Sequence, residues 1–377
     1  MARRSTRSTP LGWLLPRSVR IPIRVGGYRF VIGRNTSGPV LVMIALVLLI
    51  VLVTAPRESG VGRGRGSVVQ PNGQGYLVSF WNVENLFDDT NDFKNHDPLE
   101  DWFAANPRAL AYKLDLLAES LLAMNGGRGP DLLALVEVEN RRAVELLRDR
   151  LHRELPPELH YHDLAHHDLI TGRRIEPAIL SRLPINHART RTFGQRRIIQ
   201  AVVEVEGDEL AIIASHWTSR ITDQEGTKRF DYGRACLEAV QALRRANLAT
   251  DVLVVGDFND HPEYRSLTEG LRAGRSPSAI DAPVDRFRLW NLMTLIKPGT
   301  AGTYWYGGGW EILDHIVVSP GLVDQKGWRV LPETLTLGDN SQRQPQRFGG
   351  PGQRERRGPS DHLPVSVRIT RVRSGPS

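Results

Sequence analysis

The pentapeptide Gly256-Asp257-Phe258-Asn259-Asp260 directly follows the apolar run 251–255. A buried strand of an α/β fold that ends in a carboxylate and an amide, here Asp257 and Asn259, offers groups suited to a metal ion or a phosphate. The same composition also describes a tight turn. Five further strand ends favour chemistry. Residues 76–81 lead into Asn82, Glu84 and Asn85, 131–136 into Glu137, and 209–215 into His216. Asp314 interrupts the apolar stretch 311–319, and Ser360-Asp361-His362 opens 363–369. Taken singly, Asn82 reads as a turn cap, Glu137 as a helix start and His216 as a packed imidazole. Asp314 resists such a reading. An Asp among Ile, Leu and Val is costly to bury unpaired, so it demands a partner such as a histidine.

Hydrolysis of a phosphoester needs a hard cation to neutralise the phosphate. Mg²⁺ prefers one or two carboxylates plus waters at roughly 2.0–2.1 Å, and Glu137 is the first-choice ligand. Asn82 and Asn259 are neutral amides that can hold a phosphate or water without adding negative charge. Neighbouring side chains on a strand face opposite ways, so Asp361 and His362 do different jobs.

Taken in order, these motifs resemble the endonuclease/exonuclease/phosphatase superfamily over residues 74–372, and the stretches 82–88 and 178–185 are similar to its bacterial members. The resemblance implies a four-layer α/β sandwich, two packed mixed β-sheets flanked by helices, and hydrolysis supported by Mg²⁺, with Mn²⁺ as the alternative. It also implies roles. Asp257 aims the attacking water. Asp361 joins Glu137 and Glu84 around the metal, while His362 contacts the phosphate and is oriented by Asp314. His216 contacts the phosphate or protonates the leaving group. The expected catalytic set is therefore His216, Asp257, Asn259, Asp314 and His362, with Asn82, Asn259 and His216 touching substrate. A nuclease-like phosphodiesterase is the leading expectation. A lipid or inositol phosphoesterase and a non-catalytic membrane-attached binding module are the alternatives, the last disfavoured because a relic site has no need of a buried Asp.

The elements that must position these groups are visible as pattern. Residues 107–124, 140–155 and 230–248 read as helices between strands. Glu206-Gly207-Asp208 joins 197–205 to 210–215 as a hairpin, which implies mixed sheets. Residues 304–310 form an aromatic, Gly-rich loop or hairpin ahead of Asp314, and Trp305 and Trp310 are stacking candidates. His160, His162, His166 and His167 lie among Asp163 and Asp168 without the paired spacing of a zinc site, and read as a polar loop or edge strand. Cys236, the sole cysteine, sits in a helical stretch as a core residue and excludes an intrachain disulfide.

The net charge of +7 is misleading as a sign of nucleic-acid binding. Residues 1–71 hold eleven Arg and one acid, Glu58, so the remainder of the chain is slightly acidic. A local exception is the loop 342–358, with Arg343, Arg347, Arg354, Arg356 and Arg357 just before Asp361, which suits a phosphate-rich substrate. Residues 40–53 are wholly apolar, with eight Arg and no acid before them. This pattern predicts a short membrane-spanning helix, with the N-terminus cytoplasmic and the catalytic domain outside. A cleaved signal peptide is disfavoured by the length of the basic region, and an organelle transit peptide by the compact apolar run. The expected organisation is a basic cytoplasmic segment (1–37), a signal anchor (38–55), a flexible linker (56–73), the catalytic domain (74–372) and a tail (373–377). The expected partners are the membrane and a phosphoester substrate, nucleic acid included. No obligate protein partner is evident.

Overall fold

Alternating apolar residues drive both large sheets. The computed structural model describes residues 21–25, 28–32, 75–91, 97–166, 168–169, 173–277, 287–324, 326–338, 343–352 and 357–372. The chain divides into two units, 1–66 and 67–377. In the first, β1 (Ile21–Val25) and β2 (Tyr28–Ile32) pair as an antiparallel hairpin. The expected anchor (38–55), linker (56–73) and tail (373–377) lie outside the described residues. Among the described residues, no helix is long and apolar enough to cross a membrane.

The second unit contains two large mixed sheets. One has the order β16 (Gly327–Leu337), β17 (Val365–Val372), β3 (Tyr76–Leu86), β4 (Leu132–Val138), β6 (Glu176–Ser181), β5 (Asp163–His166). The other runs β11 (Ala273–Gly274), β12 (Leu289–Asn291), β15 (Asp314–Val318), β10 (Asp251–Asp257), β9 (Asp208–His216), β8 (Arg196–Val205), β7 (Arg191–Phe193). The strands alternate sides as a pleat requires. Leu210, Ile212 and Ala214 of β9 join Val78 and Phe80 of β3 and Leu132 and Ala134 of β4 in the core between the sheets. Ala211 and Ile213 point the other way, onto Cys236, Val240 and Leu243 of the helix Thr227–Ala246.

The outer face of the first sheet, Leu133 and Leu135 included, is covered by the helices Pro107–Leu122 and Arg141–His152 through Leu114, Leu117, Leu147 and Leu151. The result is helix, sheet, sheet, helix. Pro107 opens the first of these helices, where its missing N–H costs nothing. The side chain of Asn140 accepts from Ala143 N and caps the second. Fully burying each of these leucines stabilises the fold by about 1.5–3 kcal/mol.

The expected helices at 107–124, 140–155 and 230–248 appear as Pro107–Leu122, Arg141–His152 and Thr227–Ala246. The expected strand 311–319 is broken in two. Glu311 belongs to a hairpin of β13 (Tyr304–Tyr306) and β14 (Gly309–Glu311), whereas Asp314 starts β15. Asp163–His166 is the edge strand of its sheet.

Candidate active site

Register places three chemical residues in one row. Asp257, the last residue of β10, pairs with His216 on parallel β9 and with Asp314 on antiparallel β15. Paired residues present their side chains on one face, so an imidazole and two carboxylates are forced together. The second sheet completes the site through two irregularities. The ladder between β3 and β4 shifts between Asn82 and Leu86, and that between β4 and β6 shifts between Leu135 and Val138. Glu84, Asn85 and Glu137 there take φ of 48°, 57° and 63°. Left-handed backbone on non-glycine residues is strained, and bulges re-aim side chains that a regular strand would bury or face away. Asn259, at φ 54°, belongs to the same class.

His362 stands at the centre. Its Nδ1 lies 2.7 Å from Asp314 Oδ2, and its Nε2 lies 3.8 Å from Asp257 Oδ2. Asp314 is fully buried, and its backbone N–H donates to Thr303 Oγ1. Burial alone would lower the His362 pKa, but Asp314 and Asp257 raise it well above the ordinary value, which favours the imidazolium form. Burial pushes the Asp257 carboxyl up to about 7, with His362 opposing and Asp314 reinforcing the rise. The ring is held from behind. Trp81 Nε1 donates to His362 O at 2.8 Å, and Ser360 Oγ donates to Asn82 O at 2.7 Å while accepting from His362 N at 3.1 Å. The Tyr304 ring packs beside the imidazole at 4.8 Å between centroids.

Asn82 does not hold itself free for substrate. Its Nδ2 donates to Glu137 Oε1 at 3.1 Å and to Asp257 Oδ2 at 3.0 Å, and its Oδ1 accepts from Glu84 N at 3.0 Å. Both N–H groups are therefore spent on aligning two carboxylates. Among the described residues, Asn259 keeps one side-chain N–H available: Nδ2 donates to Trp217 O at 3.2 Å, while its backbone N–H donates to Asp257 Oδ1 at 3.0 Å. Phe258 between them is buried and stacks on Trp217 at 4.2 Å and on His315 at 5.1 Å. His315 is a packed core imidazole that bonds Asp260 O at 2.9 Å, and burial drives its pKa down to about 4.

The acidic side of the site departs from expectation at Glu84. Its oxygens accept from Phe348 N at 2.6 Å, Gly349 N at 3.2 Å and Arg347 Nε at 3.1 Å. Three donors occupy most of this carboxylate's lone pairs and tie the described part of the Arg-rich loop to β3, so Glu84 carries more protein hydrogen bonds than the other expected ligands Glu137 and Asp361. Arg347 also reaches Asp361 Oδ2 at 3.4 Å. Burial raises the Asp361 pKa to about 6, with His362 opposing. Beneath these acids, fully buried Lys113 donates to Glu84 O and Pro359 O at 3.0 and 2.6 Å and stands over the Phe348 ring, and burial lowers its pKa to about 8.

Glu137 and Asp361 fit a hard cation. Their side chains keep 17% and 19% exposure, and among the described residues the Glu137 oxygens accept only from neutral donors, Asn82 Nδ2 and Asn85 N. Among the described residues, the buried Asn85 Oδ1 has no hydrogen-bond partner. Atoms of Asp257, Asp314 and His362 also lie within 4.8 Å of one another. The hydrogen bond between Asp314 and a cationic His362 makes that group a poor cradle for a second positive charge.

Burial, then Arg197, push the His216 pKa well below the ordinary value, which favours the neutral ring over the protonated form that a leaving-group acid needs. Arg197 and Lys113 lie outside the expected site residues, whereas Arg347 belongs to the Arg-rich loop expected beside Asp361. Register counted back from the Glu206-Gly207 turn points to Arg197, whereas Lys113 reads only as a helix position.

No curated protein matches the chain in sequence. Solved structures similar to it include truncated TDP2 of Caenorhabditis elegans, 17% identical, covering 79% of this chain and 98% of that one at a TM-score of 0.48. Mannosyl-6-phosphatase of Bacteroides thetaiotaomicron is 15% identical over 78% of this chain and 99% of its own, with a TM-score of 0.48. Beta toxin of Staphylococcus aureus, in a structure with bound magnesium ions, is 14% identical over 78% and 99%, again at 0.48. A family model covers residues 77–371, nearly the whole second unit, and the chain belongs to the Endonuclease/Exonuclease/phosphatase family.

Proposed function

We propose that the domain hydrolyses a phosphodiester by direct attack of water, in a nuclease-like reaction. The observation that carries this reading is the Asp257–His362–Asp314 arrangement: Asp257 Oδ2 lies 3.8 Å from His362 Nε2, while His362 Nδ1 is held at 2.7 Å by the buried Asp314 carboxylate, and burial raises the Asp257 carboxyl. Asp257 takes a proton from the attacking water as the P–O bond to the leaving alcohol breaks, and the departing oxygen takes its proton from solvent; a base tuned near neutrality is ionised yet still proton-hungry. His362 meets the phosphate with a fixed positive charge, and Asp314 fixes the ring's orientation. Asn259 offers its remaining N–H to a phosphoryl oxygen. Asn82 keeps Glu137 and Asp257 in register. Glu137 and Asp361 would hold Mg²⁺ or Mn²⁺, which would neutralise phosphate charge.

The apolar run 40–53 behind eight Arg supports a membrane tether with the domain outside the cytoplasm. The test presents the full-length chain in detergent with plasmid DNA, RNA, sphingomyelin and inositol phosphates, with Mg²⁺, with Mn²⁺ or with chelator. Chelator-sensitive cleavage of nucleic acid supports the proposal. Selective turnover of sphingomyelin or an inositol phosphate replaces it with the lipid or inositol reading. Turnover of nothing, with retained binding, identifies a binding module.

A further inference from the structure

The antiparallel register that pairs Val205 with Asp208 and Ile198 with Ser215 brings Arg197 opposite His216. The Arg197 guanidinium lies 3.0 Å from His216 Nδ1 and donates through its other arm to Trp217 O at 3.3 Å. A guanidinium has five donors and no acceptor, so Nδ1 must present its lone pair and the ring proton must sit on Nε2. We infer that Arg197 is a positioning residue that locks His216 as the neutral Nε2–H tautomer, making His216 a fixed hydrogen-bond donor to a phosphoryl oxygen and not a proton-transfer group. The inference rests on the phosphoesterase reading above.

Three features of the geometry support it. First, Nε2 lies 3.7 Å from Asp257 Oδ2 and 3.9 Å from Glu137 Oε1, beyond hydrogen-bonding range, so among the described residues its N–H is uncommitted between the two carboxylates where a reacting phosphate would sit. Second, protonating Nδ1 would break the bond from Arg197 and set a second cation against a group that is always charged. Third, the Trp217 carbonyl that anchors Arg197 also accepts from Asn259 Nδ2. One backbone oxygen thus fixes both neutral donors relative to each other. A pre-oriented N–H acts on charge that develops in the transition state, as an oxyanion-hole donor does.

The test reads the tautomer directly, by two-dimensional ¹⁵N–¹H spectra of full-length protein labelled at histidine nitrogens, with His216 assigned by loss of its signals in His216→Gln. The expected result is an Nε2–H ring in the unaltered protein and in Arg197→Lys, which keeps a donor, and a shift toward Nδ1–H in Arg197→Met. An Nδ1–H ring or an imidazolium in the unaltered protein, or an unmoved tautomer in Arg197→Met, overturns the inference. On the substrate that the panel above identifies, Arg197→Met lowers kcat about 10–100-fold with little change in KM, and Arg197→Lys recovers most of the loss. A raised KM at unchanged kcat would also overturn it. Absence of turnover in the unaltered protein counts against the phosphoesterase reading alone, because the spectra judge the tautomer without any reaction.

Discussion

Asp257 and Asp314 stand directly opposite one another on β10 and β15. Facing carboxylates repel, and here the repulsion is relieved by one imidazolium, His362, which is 2.7 Å from Asp314 and 3.8 Å from Asp257. The two acids hold the histidine charged, and the histidine allows both acids to be buried. Asp314→Asn breaks this balance without changing shape. With an amide against Nδ1 the imidazole loses both its orientation and much of its reason to stay protonated. The expected loss is about 10³–10⁴-fold in kcat, the scale seen when a buried orienting carboxylate is made an amide. His362→Ala should fall by a similar factor, and the double variant should be little worse than either single one, because the pair acts as a unit. Steady-state kinetics with circular dichroism as the folding control checks this. Losses that multiply would show two independent residues.

Much of this site was readable as sequence because it lies at strand ends. Apolar runs ending in Glu137, His216 and Asp257 announce which residues emerge at the edge of a buried sheet, and an Asp buried among Ile and Val predicts its own partner. Arg197 was equally readable, since hairpin register from the Glu206-Gly207 turn places it across from His216. What could not be read depends on long-range closure. Nothing local says that Glu84 will be captured by Phe348 N, 264 residues away, or that Lys113 will lie under the acids from a helix. The bulges at Glu84 and Glu137 are likewise set by sheet packing and leave no composition signature.

The Asp257 carboxyl, raised by burial to about 7, sets a pH limb. Its working form is the carboxylate, so activity should fall as pH drops through the folded pKa and level off above it. A bound divalent cation favours the charged form and moves the limb downward. We therefore expect kcat/KM to rise along an acid limb centred at or below about 7, and Asp257→Asn to lose both the limb and most of the rate. A limb centred above 8 in the unaltered protein, or one that persists in Asp257→Asn, would assign the base elsewhere.

Arg347 places a guanidinium against Asp361 while bonding Glu84, and its own side chain is 68% exposed. A cation held by Glu137 and Asp361 must share that carboxylate with it. Removing the guanidinium leaves Glu84 still capped by Phe348 N and Gly349 N, so the loop retains two of its three ties. Arg347→Ala should therefore bind Mn²⁺ more tightly, by roughly tenfold for the loss of about 1.4 kcal/mol of like-charge repulsion. Titration calorimetry with Mn²⁺ measures this without any substrate. Unchanged or weaker binding would mean that Asp361 does not hold the cation.

Gly256 distinguishes a turn from a site. A glycine of a tight turn is needed for left-handed backbone, yet Gly256 lies inside β10 between β9 and β15 and is absent from the positive-φ glycines. It is needed for close approach. A Cβ there would meet Ser215 O at 2.2 Å and the Phe258 ring at 2.4 Å. The first of these is a backbone atom of the neighbouring strand, which cannot swing aside as a side chain does. Gly256→Ala must push β9 away from β10, and with it His216 away from Asp257, while also lifting Phe258 off Trp217. The expected cost is about 1–3 kcal/mol in denaturant unfolding, the range for an overpacked core, together with a loss of turnover larger than the measured fraction of unfolded molecules explains. Neutral stability and normal turnover would show that the strand pairing tolerates the methyl group and that the row His216–Asp257–Asp314 does not depend on this contact.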